Sequence, residues 1–194
     1  MNCSMFLQSR RQTLDLGIRE LCRKTDRLPF PVSASYLSRL ESGTSIDVSK
    51  VSLDVLWSLG VELQTDPLKL FALANGLDRF VEVSARDTLF SIRDVGADTL
   101  GSYLKARRHQ LNLGLRELSS LIDRNPSAAF PLSPGFLSQV ENNMRDQSTR
   151  VSGEKLWSLG VVLGVDPLCL FVLSRGLDPR YLQAASRDRL FLVR

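Results

Sequence analysis

Apolar residues recur along this chain at three- and four-residue intervals, and the strict alternation expected of strands is nearly absent. Leu53, Leu56, Trp57, Leu59 and Leu63 make one such stripe, and a closely similar one returns 100 residues later. End signals divide the periodic stretches into helices. A first helix is expected over about 3–14, and a counterpart over about 99–111, capped by Asp98 or Thr99. A second starts at Gly17 and again at Gly114, with Glu20 and Glu117 at the third helical position, where a carboxylate can reach back to the cap. A third begins at Ser33 and at Ser133, the latter followed by Pro134, whose fixed φ suits a first helical turn. The Leu/Trp stripe is the fourth. A fifth opens at Asp66-Pro67 and Asp166-Pro167 and stops at Gly76 and Gly176. A sixth, short helix is expected over about 79–90 and 179–192. The chain therefore reads as all-α.

The recurrence is a duplication. LWSLGVELQTDPLKLFALANGLD (56–78) matches LWSLGVVLGVDPLCLFVLSRGLD (156–178) at 16 of 23 positions without a gap. SASYLSRLE (33–41) pairs with SPGFLSQVE (133–141) at the same offset, whereas RRQTLDLGIREL (10–21) pairs with RRHQLNLGLREL (107–118) at an offset of 97. The three extra residues of the second copy fall between helices two and three. SARDTLF (84–90) and ASRDRLF (185–191) close the copies. The expected organisation is a first domain over 1–90, a connector over 91–97 and a second domain over 98–194.

Composition excludes more than it selects. An apolar share of 43% fits a folded globular chain. No run approaches the roughly 18 apolar residues of a membrane span, and the first residues do not read as a secretory leader. Three scattered cysteines, Cys3, Cys22 and Cys169, fit a reduced compartment and no disulfide framework. Cys22 and Cys169 lie in apolar helical stretches and read as small core residues. The expected setting is the cytoplasm. With one histidine, His109, set among polar neighbours, there is no metal-ligand spacing, no catalytic constellation and no phosphate-cradling glycine loop. No enzyme, cofactor, metal or small-molecule ligand is expected. The net charge of +4 lies wholly in the second half: residues 1–97 hold 12 Lys/Arg and 12 Asp/Glu, and residues 98–194 hold 13 and 9.

Five short helices in this order, the third serine-capped and reading S-x-x-[YF]-L-S-x-x-E, followed by S-L-D-V-L-W-S-L-G-V-E-L…D-P-L-x-L-F, resemble the lambda-repressor-like (XRE-type) helix-turn-helix family. The resemblance covers about residues 5–78 and 102–178. It implies that helices two and three form a DNA-reading unit, with helix three in the major groove. Three-residue spacing turns Leu37, Leu40, Leu137 and Val140 to the core. Ser33, Ser35, Ser38 and Arg39 are left outward in the first copy, and Ser133, Gly135, Ser138 and Gln139 in the second. Arginine suits guanine, glutamine suits adenine and serine suits either. Tyr36 and Phe136 fit equally a place under the helix and a contact with a thymine methyl or a sugar. The resemblance also implies that Arg11 and Glu41, and Arg108 and Glu141, are ion-pair braces inside the fold.

Arg10 and Arg107 are expected at another angle on helix one and more exposed, suited equally to phosphate contact and to plain solvation. Arg27 and Arg124 lie in the stretched turns RKTDRLPFPV and LIDRNPSAAFPL, within reach of phosphate. Phe30-Pro31 and Phe130-Pro131 are expected to dock those turns onto their domains. Trp57 and Trp157 read as core. The loop after helix three differs between copies: SGTSIDVSK (42–50) offers Thr44 and Lys50, and NNMRDQSTR (142–150) offers Arg145 and Arg150. That contrast favours the second copy for backbone contact.

The resulting expectation is a sequence-specific, double-stranded-DNA-binding transcriptional regulator, a repressor of bacterial or phage type, with two non-identical heads in one chain. Phe80, Val81, Phe90, Tyr181, Leu182, Leu190 and Phe191 in the closing segments offer apolar surface for packing the copies together or for a homodimer. The alternative is a protein-binding adaptor, or an antitoxin or plasmid-maintenance factor, in which the first head no longer binds DNA.

Overall fold

The computed structural model describes residues 2–43, 46–77, 99–142 and 151–177. Every regular element among them is helical, and none is a strand. The chain divides into two compact units, and of the described residues the first takes those up to 77 and the second those from 99. The first unit holds α1 (Cys3–Thr13), α2 (Ile18–Thr25), α3 (Ala34–Ser42), a 3-10 turn (Val48–Lys50), α4 (Leu53–Glu62) and α5 (Pro67–Ala74). The second holds α6 (Leu100–Gln110), α7 (Leu115–Arg124), α8 (Pro134–Glu141), α9 (Gly153–Leu163) and α10 (Pro167–Arg175). None of these helices is long and apolar enough to cross a membrane. The expected sixth helices, over 79–90 and 179–192, and the connector over 91–97 lie outside the described residues.

The helix starts follow the capping chemistry of the sequence. Asn2, Ser33, Ser52, Asp66, Thr99, Ser133 and Asp166 each accept a backbone N–H of the first turn that they precede. Gly17 and Gly114 cap α2 and α7 without a side chain, and Glu117 accepts the Gly114 N–H at 3.4 Å. Helices α1 and α6 stop where Asp15 and Asn112 take a left-handed φ of 54°, which these two residue types tolerate best after glycine.

Within each unit the helices pack in the same scheme. The first helix lies on the third and the fifth, the second on the third and the fourth, and the fourth on the fifth. Leu7, Leu21, Leu37, Leu40, Leu56, Trp57, Leu59 and Leu70 fill the first core; Tyr103, Leu137, Val140, Leu156, Trp157, Leu159 and Phe171 fill the second. The W-S-L-G motif has a steric reason. A Cβ on Gly60 would lie 2.8 Å from both Pro67 Cγ and the Thr65 carbonyl oxygen, and one on Gly160 would lie 2.6 Å from Pro167 Cγ and the Val165 oxygen. The fourth helix thus rests directly on the start of the fifth, and each glycine carbonyl accepts the N–H of Thr65 or Val165.

The stretched turns between helices two and three are docked, by different devices. In the first unit the Thr25 hydroxyl accepts the Val32 N–H at 2.9 Å, and the Phe30 ring meets the Trp57 ring edge-on, with centroids 5.9 Å apart. In the second unit, Ser119, which stands where the first copy has Cys22, donates to the Leu132 carbonyl at 2.6 Å. Trp157 Nε1 donates to the Ser127 carbonyl at 2.9 Å. The buried Ser158 Oγ lies 2.5 Å from the Ala128 oxygen and 2.8 Å from the Phe130 oxygen and accepts the Phe130 N–H at 3.2 Å. Its counterpart Ser58 is fully buried, with no hydrogen-bond partner among the described residues.

Two outcomes are expected. Ser158→Ala removes the hydroxyl that bonds Ala128 and Phe130 and takes one donor from the buried Ala128 carbonyl, and should destabilise the chain by about 1–3 kcal/mol, whereas Ser58→Ala removes an unsatisfied hydroxyl and should be neutral or stabilising. Comparative denaturant titration of the two variants checks this, and equal losses would contradict it. Gly160→Ala should cost about 1–3 kcal/mol through overpacking, because the obstruction includes backbone that cannot swing aside. A melting temperature unchanged from the parent chain would contradict that.

Candidate nucleic-acid interface

Adjacent arginines on the first helix of each unit are directed to two different places. Arg11 meets Glu41 of α3 in a two-pronged pair, Nε to Oε1 at 2.8 Å and Nη2 to Oε2 at 2.7 Å, and Nη1 donates to the Leu16 carbonyl at 2.7 Å. Arg108 repeats this with Glu141 at 2.7 and 2.6 Å and with the Leu113 carbonyl at 2.7 Å. Side-chain exposure is 11% and 5% for the first pair and 8% and 5% for the second, so the charges are withdrawn from water and their partners are indispensable. The brace reading of these four residues thus matches the geometry.

The hydrogen bond to glutamate pushes both guanidinium pKa values further above their already high ordinary value, outweighing the opposing effect of burial. A raised folded-state pKa contributes stability that is complete below the unfolded value and is lost only as pH rises through the folded one. The arginine side of the brace is therefore intact through the neutral range.

Arg10 and Arg107 require a correction. The expected exposed position is not observed for Arg107, which is buried at 9% exposure, with Nε donating to the Leu163 carbonyl at 2.9 Å. Arg10, half-buried, donates to the Leu63 and Gln64 carbonyls at 2.9 and 3.2 Å. Both arginines satisfy the free carbonyls at the end of the fourth helix, where a cation also complements the helix dipole. This engagement removes Arg107 from the candidate phosphate contacts. Arg27 and Arg124 are exposed in or beside the turns, as that role requires.

Helix α3 buries Leu37 and Leu40 and leaves Ser35, Ser38 and Arg39 exposed; α8 buries Leu137 and Val140 and leaves Gly135 and Gln139 exposed, with Ser138 half-buried. Ser33 and Ser133 are exposed, but their hydroxyl oxygens already accept the N–H of Tyr36 and Phe136, which occupies one of the two acceptor positions of each. Arg39 folds along its own helix, with Nε donating to the Ser35 carbonyl at 3.3 Å. Tyr36 and Phe136 are half-buried, between the two expected settings. Burial pushes the Tyr36 hydroxyl pKa up.

Lys155, which the sequence reading overlooked, stands 3.9 Å from the Phe136 ring centroid and adds a cation beside α8. Nineteen residues separate the two in sequence, and only the packing of the fold brings them together. Lys50 is exposed and pairs with Asp47 at 3.4 Å. Thr44, Arg145 and Arg150 lie outside the described residues, as do the apolar closing segments.

The remaining polar candidates are quiet. His109 is exposed. Burial raises the Cys3 thiol pKa to about 11 and that of Cys22 in the same direction, which keeps both protonated at neutral pH. Cys169 is only half-buried, unlike the core placement expected of it, because it falls at the edge of the apolar face of α10. Among the described residues no group of His, Cys, Asp or Glu is arranged to hold a metal ion. Compared with protein-family models, with curated proteins and with solved structures, the chain matches none.

The brace gives a sharp expectation. Glu141→Ala leaves Arg108 buried and unpaired and should cost about 3–5 kcal/mol, while the joint change Arg108→Met with Glu141→Leu should recover much of that loss. Denaturation of the single and double variants provides the comparison, and a double variant no more stable than the single would refute the accounting.

Proposed function

We propose that this chain is a sequence-specific regulator that binds double-stranded DNA through two non-identical helix-turn-helix heads of the lambda-repressor-like kind. In this reading α2 with α3 forms one head and α7 with α8 the other. The observation that carries it is the doubled arrangement of the third helix. In each unit a serine-capped helix buries one apolar side, is locked to the first helix through its glutamate, and presents small polar side chains with one longer hydrogen-bonding residue, Arg39 or Gln139. A braced helix with an exposed polar face suits base-edge reading, because the helix is positioned before the ligand arrives.

Because the exposed residues of α3 and α8 differ, the two halves of the preferred site should differ in sequence. Covalent linkage raises the effective concentration of the second head once the first has bound. A protein-binding adaptor is the second reading. What favours it is Leu121, a large apolar side chain 39% exposed on α7 beside the proposed reading helix of the second unit.

Selection of bound sequences from random duplex DNA tests the proposal. An enriched, asymmetric two-part site is expected. Arg39→Ala and Gln139→Ala should each relax one part of it, at a cost of about 1–3 kcal/mol for the preferred base. Absence of binding at low salt would overturn the proposal, and unchanged selection in both variants would overturn the assignment of the reading helices.

A further inference from the structure

The duplicated second helices carry the same buried side but opposite kinds of exposed side. Leu21 and Leu118 fill matched core positions, as do Cys22 and Ser119 and, less closely in chemistry, Thr25 and Ile122. Outward, the first unit has Arg19, Arg23, Lys24 and Arg27, all exposed. At the matched positions the second unit has Arg116, Ser120, Leu121 and Arg124. Glu20 and Asp26 accompany the first set, and Glu117 and Asp123 the second. Over residues 19–27 this leaves four cations against two acids, and over 116–124 two against two.

None of the four cations of the first unit enters an ion pair with a described residue; the ion pairs there lie elsewhere, at Arg11–Glu41 and Lys50–Asp47. Arg19 and Arg23 are four residues apart on one helical face, where like charges repel. The face therefore carries an unneutralised positive surplus, immediately before the proposed reading helix α3, which adds Arg39. The charge count of the two halves pointed to the second copy, but six of that half's thirteen cations, Arg145 and Arg150 among them, lie outside the described residues.

We infer that the first unit is the electrostatic anchor of the chain, with Arg19, Arg23 and Lys24 of α2 and Arg27 of the turn that follows taking the phosphodiester backbone. The corresponding face of the second unit, with Leu121 in place of Lys24, makes little such contact. This rests on the DNA-binding reading above. Backbone contact by point charges is independent of sequence and strongly dependent on salt, so the first unit sets affinity and salt response while α8 contributes chiefly through selection.

The test is titration of the full chain onto random-sequence duplex DNA, followed by fluorescence anisotropy from low to moderate salt. In the triple variant Arg19→Gln, Arg23→Gln and Lys24→Gln, the slope of log affinity against log salt should flatten by about two to three, at roughly 0.9 for each phosphate no longer neutralised. In Arg116→Gln with Arg124→Gln it should flatten by less than about one, since by the same rule that face neutralises few phosphates. Glutamine keeps helix propensity close to that of arginine and lysine. Should the triple variant lose helical circular dichroism, Arg23→Ser with Lys24→Leu, residues that the second unit already carries in this fold, replaces it with an expected flattening of about one to two. A first-unit variant with the parental slope, or a second-unit variant that flattens as much, overturns the assignment while leaving DNA binding in place. Failure of the unmodified chain to bind at low salt instead removes the reading on which the assignment rests.

Discussion

A buried, two-pronged arginine–glutamate pair holds each unit of this protein in register. Arg11 sits near the C-terminal end of α1, takes both oxygens of Glu41 near the end of α3, and directs its third nitrogen, Nη1, to the Leu16 carbonyl in the short link before α2. One side chain thereby fixes the angle between three successive elements. Apolar packing alone is indifferent to small rotations of a helix about its axis, whereas a planar guanidinium facing a carboxylate is not. The cost of burying the charges is offset by complete pairing, and the return is a third helix whose outward side is defined. The same geometry in Arg108, Glu141 and Leu113, on a sequence that has changed widely around it, identifies it as the framework that both copies retain.

Where a residue's environment was set within a few positions of itself, the sequence was readable. Caps at Ser33, Ser133, Asp66, Asp166 and Thr99 start the helices they signal, and the leucine and tryptophan stripe lies in the core. The brace could be named before any coordinates only through a resemblance, because no local rule links position 11 to position 41. Reading failed where a distant element decided the outcome. Helical angle separates Arg107 from Arg108, but whether that angle meets water or the end of another helix depends on where α9 stops. Lys155 beside Phe136 and the three carbonyls around Arg10 and Arg107 belong to the same class of tertiary facts. Half-burial of Cys169 shows the converse limit, since an apolar stretch does not say which of its residues lie at its edge.

The two copies have diverged by exchanging means while keeping ends. A threonine hydroxyl in one and a serine hydroxyl in the other, both on the second helix, fasten the same end of the turn at Val32 or Leu132. Ser158 anchors three backbone groups of the longer turn; Ser58 keeps the hydroxyl without such partners among the described residues. Gln64 occupies with φ of 51° a left-handed position that Gly164 fills in the second copy, so the exit from the fourth helix carries backbone strain in one unit only. These differences concentrate on the second helix, the turn after it and the end of the fourth helix, while buried leucines, the tryptophan and the phenylalanine of α4 and α5 recur in α9 and α10.

The unequal length of the docked turns has a consequence for how such a domain can be altered. Three residues separate the copies at this point, yet the third helix makes the same neighbours in both, because its position is defined from the first helix and not from the segment that leads into it. Loop closure becomes costlier only slowly with length, and both ends of this segment are pinned. The turn is therefore a port: additional peptide could enter the chain between Asp26 and Pro29, or between Asn125 and Ser127, and be displayed beside the third helix without displacing it.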